Sequence, residues 1–311
     1  MQIAKSNLQN STVTIHVETL FIIIIAPLVS GIITKIKNNL RMRKGQVIFQ
    51  PYHNLIKLFY KEEVISENTS WIFRITPFIV LASVILAALL APVFTIMPYA
   101  GHIGDFLLII FILALGRFFL ALAGLDAGSS FGGMGSSREM FLSSLAEPAA
   151  ILSIFAVSLN AGTTNLGVIF GLHDIKLSSI IAGFSLLMVA IAETSRIPID
   201  NQETHLELTM IHEAMVLEYS GRSLAFIELA SHIKQIVFFS LIANILFPAV
   251  ILGGNIIFNI AVYIIGILGI SAAVGFIEVS VAKMRLFRAV DFLAFSFVLG
   301  LAAVVISVMG A

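Results

Sequence analysis

AETSRIPIDNQETHLELTMIHEAMVLEYSGRSLAFIELASHI, residues 192–233, is the stretch whose reading decides the fold. Seven carboxylates fall inside it: Glu193, Asp200, Glu203, Glu207, Glu213, Glu218 and Glu228. With Glu147 and Asp174 just upstream, half of the chain's 18 acids gather around this one segment. The residues on either side, LSSIIAGFSLLMVAIA before it and KQIVFFSLIANIL after it, are almost wholly apolar. A charged segment between two such runs reads as a loop between membrane-spanning helices. Acids that border a bilayer are costly, and they recur there for proton movement or for tight docking to a partner.

Working outward, the same apolar character covers the chain. Of its 311 residues, 59% are hydrophobic and 12% charged, against about 25% charged in a soluble domain. The mean hydropathy is +1.02. A span needs roughly 20 largely apolar residues. Eight stretches meet that length, near 13–34, 75–97, 105–125, 140–159, 177–193, 224–248, 256–277 and 289–309. The 140–159 stretch is interrupted by Glu147 and Pro148. The expected fold is all-α: a polytopic membrane protein with about eight transmembrane helices, forming one domain over 1–311. The N-terminus lacks a cleavable-signal pattern, so Val13 onward reads as a permanent span. Zero net charge gives nucleic acid no electrostatic footing as a partner. Zero cysteines exclude a disulfide and a thiolate-held iron–sulfur cluster in this chain.

Lysine and arginine fall unevenly among the loops. Fourteen lie on one side, from Lys35 through Arg74, at Arg138, Arg196 and Arg222, and at Lys283, Arg285 and Arg288. The other side has Lys5 and Lys176, and Arg117 and Lys234 lie within spans. The positive-inside rule makes the fourteen-residue side cytoplasmic and puts both termini outside. Two loops then face the cytoplasm, a basic one over 35–74 and the acidic one over 194–223. In the basic loop, Tyr52, Leu55, Ile56, Phe59 and Tyr60 recur at i, i+3, i+4, i+7 and i+8, the spacing of one helix face. Pro51 suits the first helical position, so an amphipathic helix is expected to lie in the bilayer interface. A helix packed on a soluble partner has the same pattern.

The glycine-rich segment 127–138, AGSSFGGMGSSR, lacks the GK[ST] ending of a phosphate-binding loop and follows no strand. It reads as a close-packed or mobile loop between spans. His205, Glu207, His212 and Glu213 invite a metal, but residue 216 is Val where a zincin needs its second His. No metal site is assigned. Charges inside the spans matter more. Arg117 and Glu147 reach comparable depth on consecutive antiparallel helices and are expected to pair, as are Glu228 and Lys234. Such pairs either fix helix packing or carry function. For Glu193, Glu278 and Asp291, near helix ends, a solvated terminus is an equal reading.

Three stretches together resemble a known family: RMRKGQVIFQPYHNLIKLFYKE (41–62), AETSRIPIDNQETHLELTMIHEAMVLEYSG (192–221) and AKMRLFRAVDFLAF (282–295). They are similar to the membrane subunit shared by respiratory complex I, as its subunit 1, and the energy-converting nickel–iron (NiFe) hydrogenases. The resemblance runs over nearly the whole chain. The His-containing segment after Asp200 and the shortened RKGQVIFQP look closest to the branch of formate hydrogenlyase subunit 4 and hydrogenase-4 component C. The resemblance implies a non-redox anchor joining a hydrophilic electron-transfer arm to antiporter-like membrane subunits. It implies proton-path roles for Glu147, Glu193 and Glu228, with Arg117 and Lys234 beside them. It also implies a docking loop of Arg196, Asp200, Glu203, Glu207 and Glu218. The implied partners are the hydrogenase large and small subunits and an iron–sulfur protein, which would hold the NiFe centre and iron–sulfur clusters. Two other readings stay open: a quinone-site subunit of complex I with helix 51–62 at the quinone entrance, and a purely structural anchor.

Overall fold

The computed structural model describes residues 2–66, 68–92, 105–171, 176–200, 210–247 and 256–310, with side chains from residue 17 onward except at 171, 256, 257 and 287. Eleven helices follow one another through these residues, and no strand lies among them. They are α1 (Gln2–Leu40), α2 (Gln50–Tyr60), α3 (Trp71–Leu90), α4 (Phe106–Asp126), α5 (Ser130–Ala161), α6 (Leu166–Gly171), α7 (Leu177–Glu193), α8 (His212–Val216), α9 (Gly221–Leu246), α10 (Ile256–Ser280) and α11 (Leu286–Val308). Seven of them are long and apolar enough to cross a bilayer: α3, α4, α5, α9 and α11, with Val17–Leu40 of α1 and Phe258–Ser280 of α10. The eighth expected span, α7, is apolar but only 17 residues long. The chain is a multi-pass helical membrane protein.

Local chemistry starts and stops these helices. Ser70, Asp105 and Ser129 cap α3, α4 and α5, each accepting a hydrogen bond from a backbone N–H of the first turn. Asp126, at the end of α4, accepts from the Ser70 N–H at 2.8 Å and ties the two helix ends together. Gly162 closes α5 in the left-handed conformation at φ 68°. The helix α7 ends in a Schellman motif: Arg196 N–H donates to the Ile191 carbonyl at 3.1 Å and Ser195 N–H to that of Ala192 at 3.1 Å. Ser195 occupies the left-handed position at φ 52°, where glycine is usual.

One span differs from its sequence reading. The glycine-rich segment 127–138 is not a loop; from Ser130 it is the first part of α5, a helix of 32 residues that runs unbroken past Glu147 and Pro148. Its glycines are there for close approach. A Cβ on Gly132 would fall 2.2 Å from the Gly124 carbonyl oxygen of α4, and one on Gly135 would fall 2.8 Å from the Ala214 Cβ of α8. Small residues let helix backbones touch where lipid supplies no hydrophobic drive for association. The short helices α6 and α8 have too few residues to show a period in sequence.

The span α9 is central, with 72% of its apolar window buried, whereas α11 at 28% lies at the rim. The helices α5, α7 and α11 pack as a trio stitched by hydroxyls. Ser153 Oγ donates to Ser185 Oγ at 2.7 Å, Ser185 Oγ to the Ser296 carbonyl at 2.7 Å, and Ser296 Oγ to the Ser185 carbonyl at 2.9 Å. The helix α2 lies across the bundle with its expected face split. Tyr52 donates to the Ile24 carbonyl of α1, Leu55 is buried, and Phe59 meets Phe226 of α9 edge-on at 5.5 Å. Ile56 and Tyr60, one residue further round the helix, are exposed.

Candidate functional site

Inside the bundle, Glu193 ends α7 at the point where the Schellman turn carries the chain away. Its side chain is 4% exposed and lies between two cations. Arg117 Nη2 of α4 approaches Glu193 Oε1 at 2.7 Å, and Lys234 Nζ of α9 approaches Oε2 at 2.7 Å. The other Arg117 nitrogen, Nη1, lies 3.4 Å from Glu147 Oε1 of α5, a half-buried carboxylate. Isolated charges could not persist in so apolar an interior; here each cation has a carboxylate in contact.

The expected Arg117–Glu147 contact is present, but the tighter partner of Arg117 is Glu193. The expected Glu228–Lys234 pair does not form. Residues 228 and 234 are six apart on α9, and side chains three or four apart are the ones that share a helix face. Lys234 turns to Glu193 instead, and half-buried Glu228 has no ion-pair partner among the described residues.

Beside this cluster lie two adjoining cavities. The larger, about 40 Å³, is lined by Arg117, Glu139, Glu193, Ser195, His212 and Lys234 among others. The smaller, about 10 Å³, is shared by Arg117, Glu139, Glu193, Ser195 and Asp200. A polar cavity needs roughly 10–15 Å³ to accept one water, so the larger has room for about two. Arg117 Nε, buried and without a hydrogen-bond partner among the described residues, would gain one from such a water.

Glu139 is the residue that sequence reasoning missed. Lying between the 127–138 segment and the 140–159 span, it gave no sign of facing Arg117. As part of α5 it stands two turns before Glu147, a spacing that brings both acids toward the same neighbours. Three carboxylates, Glu139, Glu147 and Glu193, therefore surround two cations, Arg117 and Lys234. One acid is left over.

From the cavities a line of polar groups continues through the loop. Asp200, 1% exposed, accepts from the backbone N–H groups of Ile211 and His212, both at 3.1 Å, and from Lys283 Nζ at 2.9 Å. Burial holds the His212 imidazole below its usual pKa, with Glu213 and Asp200 opposing that shift and Lys234 adding to it. Arg196 donates to Glu278 Oε1 at 2.8 Å, to Gln235 Oε1 at 3.0 Å and to Ser30 Oγ at 3.2 Å. Lys37 adds a second cation 3.6 Å from Glu278 Oε2. Arg196 and Asp200, expected on a docking surface, are thus engaged inside this chain: they fasten the 194–200 turn to α1, α9, α10 and the segment before α11. Glu218 is exposed, and Glu203 and Glu207 lie outside the described residues, as does His205. Glu278 is buried and paired, whereas Asp291 is exposed. Among the described residues no three of His, Cys, Asp and Glu converge to hold a metal.

Residues 13–309 match the family described as NADH dehydrogenase. Hydrogenase-4 component C of Escherichia coli (strain K12) is 35% identical over 236 residues, covering 74% of this chain and 74% of that protein. Formate hydrogenlyase subunit 4 of the same organism is 29% identical over 279 residues, covering 87% and 90%. A chain in the structure of the membrane-bound sulfane sulfur reductase, an archaeal respiratory membrane complex, superposes with a TM-score of 0.80 at 19% identity, over 94% of this chain and 99% of that one.

Proposed function

Because the chain belongs to the NADH dehydrogenase family, as a membrane subunit of the hydrogenase and complex I-like kind, we propose that it is the non-redox anchor and proton-coupling subunit of an energy-converting hydrogenase. In this reading it joins a hydrophilic arm to antiporter-like membrane subunits. That arm consists of the hydrogenase large and small subunits and an iron–sulfur protein, and the NiFe centre and iron–sulfur clusters belong to it. The protein sits in the plasma (inner) membrane, with the 35–74 and 194–223 loops facing the cytoplasm and both termini outside. The exposed acid Glu218, with Glu203 and Glu207, faces the arm.

The observation that carries this reading is the excess carboxylate around one internal cavity. Arg117 and Lys234 can neutralise two acids; a third, among Glu139, Glu147 and Glu193, has no cation of its own and can alternate between holding a proton and releasing it. A small shift of Lys234 or Arg117 from one carboxylate to another would move that proton between α5 and α7. The turn that starts at Thr194 links this site to Asp200 and Glu278, so a movement of the loop reaches Glu193 through a few covalent bonds. Glu228 lies on the same central helix as Lys234 and belongs to the same path in this reading.

The test is to reconstitute the complex in sealed vesicles and follow hydrogen production and proton uptake together. Glu139→Gln, Glu147→Gln, Glu193→Gln and Glu228→Gln keep shape while removing the charge. Reduced proton uptake per electron in the assembled variants supports the path. Wild-type ratios in all four would leave the subunit as an anchor alone.

A further inference from the structure

On the rim of the bundle, α7, α10 and α11 leave a groove of 360 Å³ whose wall is wholly apolar. Ile181, Phe184, Met188 and Ile191 line it from α7, Ile277 from α10, and Phe292, Phe295 and Leu299 from α11. Phe184 and Phe295 are 59% and 57% exposed, so the groove opens sideways rather than into the core. From Ile191 to Ile181 it runs for roughly 15 Å along the helix axis, at 1.5 Å per residue.

Its upper end is basic. Arg288 precedes Phe292, Phe295 and Leu299 by four, seven and eleven residues, so all four share one face of α11. Arg285, the N-cap residue of α11, lies one turn earlier. Both arginines are exposed and have no ion-pair partner among the described residues, whereas nearby Lys283 is committed to Asp200. The first turn of α11 contains no acid, and no side chain caps its backbone N–H groups. Two cations and a helix N-terminus therefore stand above an apolar slot. The opposing charge is Asp291, exposed a turn below Arg285 and three residues from Arg288.

We infer that this groove is a binding site for one anionic phospholipid, with an acyl chain along α7 and α11 and the phosphate at Arg285 and Arg288. A transmembrane helix of a partner subunit would fill the apolar part, but it would leave the two arginines unmatched. A zwitterionic lipid brings its own cation beside the phosphate and would leave the net positive charge of the two arginines uncompensated. Charge complementarity selects the anionic lipid.

The experiment uses the full chain purified in mild detergent, with phosphatidylglycerol and phosphatidylcholine as probes and bound lipid counted by native mass spectrometry. The wild type should retain phosphatidylglycerol in preference to phosphatidylcholine. Arg285→Gln with Arg288→Gln should weaken phosphatidylglycerol retention by on the order of tenfold, and the matching pair of lysine substitutions should keep most of it. Met188→Trp, which fills the slot, should displace the lipid while both arginines remain. Asp291→Asn should retain phosphatidylglycerol at least as well as wild type. Because the arginines are exposed, both pairs should melt within a degree or two of wild type without lipid. Added phosphatidylglycerol should raise the melting temperature of the wild type and the lysine pair but not that of the glutamine pair. Equal retention of the two lipids by wild type would overturn the inference, as would a glutamine pair that binds like wild type. A cross-link from Leu299→Cys to a partner-subunit helix, with no lipid retained in the assembled complex, would assign the groove to protein instead.

Discussion

Two glutamates, Glu193 and Glu278, end or nearly end an apolar helix, are buried, and face two cations each. What surrounds them differs. Glu278 takes Arg196 at 2.8 Å and Lys37 at 3.6 Å, and Arg196 Nη2 donates to the neutral acceptors Ser30 and Gln235. Among the described residues no second acid pairs with Arg196. Around Glu193, two further carboxylates and a cavity of about 40 Å³ compete for the same cations. The same device thus serves two ends: at Glu278 the charges are used up in fastening the 194–200 turn, and at Glu193 there is a spare acid with room for water. Buried ion pairs are poor evidence for stability, and an unbalanced one beside space is where proton chemistry is affordable.

The comparison breaks first at Arg117. Removing one partner of a buried pair strands the other at roughly 3–5 kcal/mol. Arg117→Leu should therefore sharply lower the amount of folded protein recovered from membranes. Adding Glu147→Leu should restore more than adding Glu193→Leu, because Glu147 has only Arg117 among the described residues, whereas Glu193 also holds Lys234 at 2.7 Å and its loss would strand that cation. Equal rescue by both would show that the loss of Glu193 does not strand Lys234.

Glu278→Gln and Glu139→Gln should separate the two roles. The first should lower thermal stability by on the order of 3 kcal/mol and leave proton uptake per electron unchanged in whatever complex assembles. The second removes the acid that has no ion pair among the described residues, so melting should shift little while proton uptake falls. A Glu139→Gln complex that pumps normally, beside a Glu278→Gln complex that does not, would reverse the assignment.

The neutral stitching at Ser185 gives a smaller effect. Interhelical hydrogen bonds in membranes are worth about 0.6 kcal/mol on average, so Ser185→Ala, which removes two such contacts, should cost on the order of 1 kcal/mol with no change in transport. Measured melting of the purified subunit checks it.

His212 supplies a pH signature. Its folded pKa lies below the ordinary value of about 6.5, so the unfolded chain takes up its proton first as pH falls. The stability it contributes is fully present above about pH 6.5 and is lost as pH drops toward the folded pKa. His212→Gln should flatten that part of the melting-temperature profile, and an unchanged profile would place the imidazole in water. Smallest of all, Ser195→Gly should relieve the left-handed turn after Glu193 and stabilise the protein by up to about 1 kcal/mol.

Apolar runs of about 20 residues announced the spans, because the bilayer imposes that length on any helix that crosses it. The spacing of Tyr52, Leu55, Ile56, Phe59 and Tyr60 likewise announced α2, but not which of them turn inward: Leu55 is buried, whereas Ile56 and Tyr60 are exposed. The acidic segment was legible as the centre of interest from its composition, and Arg117 with Glu147 from their depth. By itself, then, the sequence determined an all-helical membrane protein, its order of spans, its family and the neighbourhood of its charges. Only the tertiary structure decided which charge meets which. Lys234 reaches Glu193 rather than Glu228 because partners in a bundle are set by how helices rotate against one another, which no single helix records. Glu139 entered the site because glycines at 132 and 135, read locally as loop residues, serve backbone contact between α4, α5 and α8. Arg196 and Asp200 turned inward for the same kind of reason: in an apolar interior a charge goes wherever its counter-charge is held, and that is settled by packing across the whole fold.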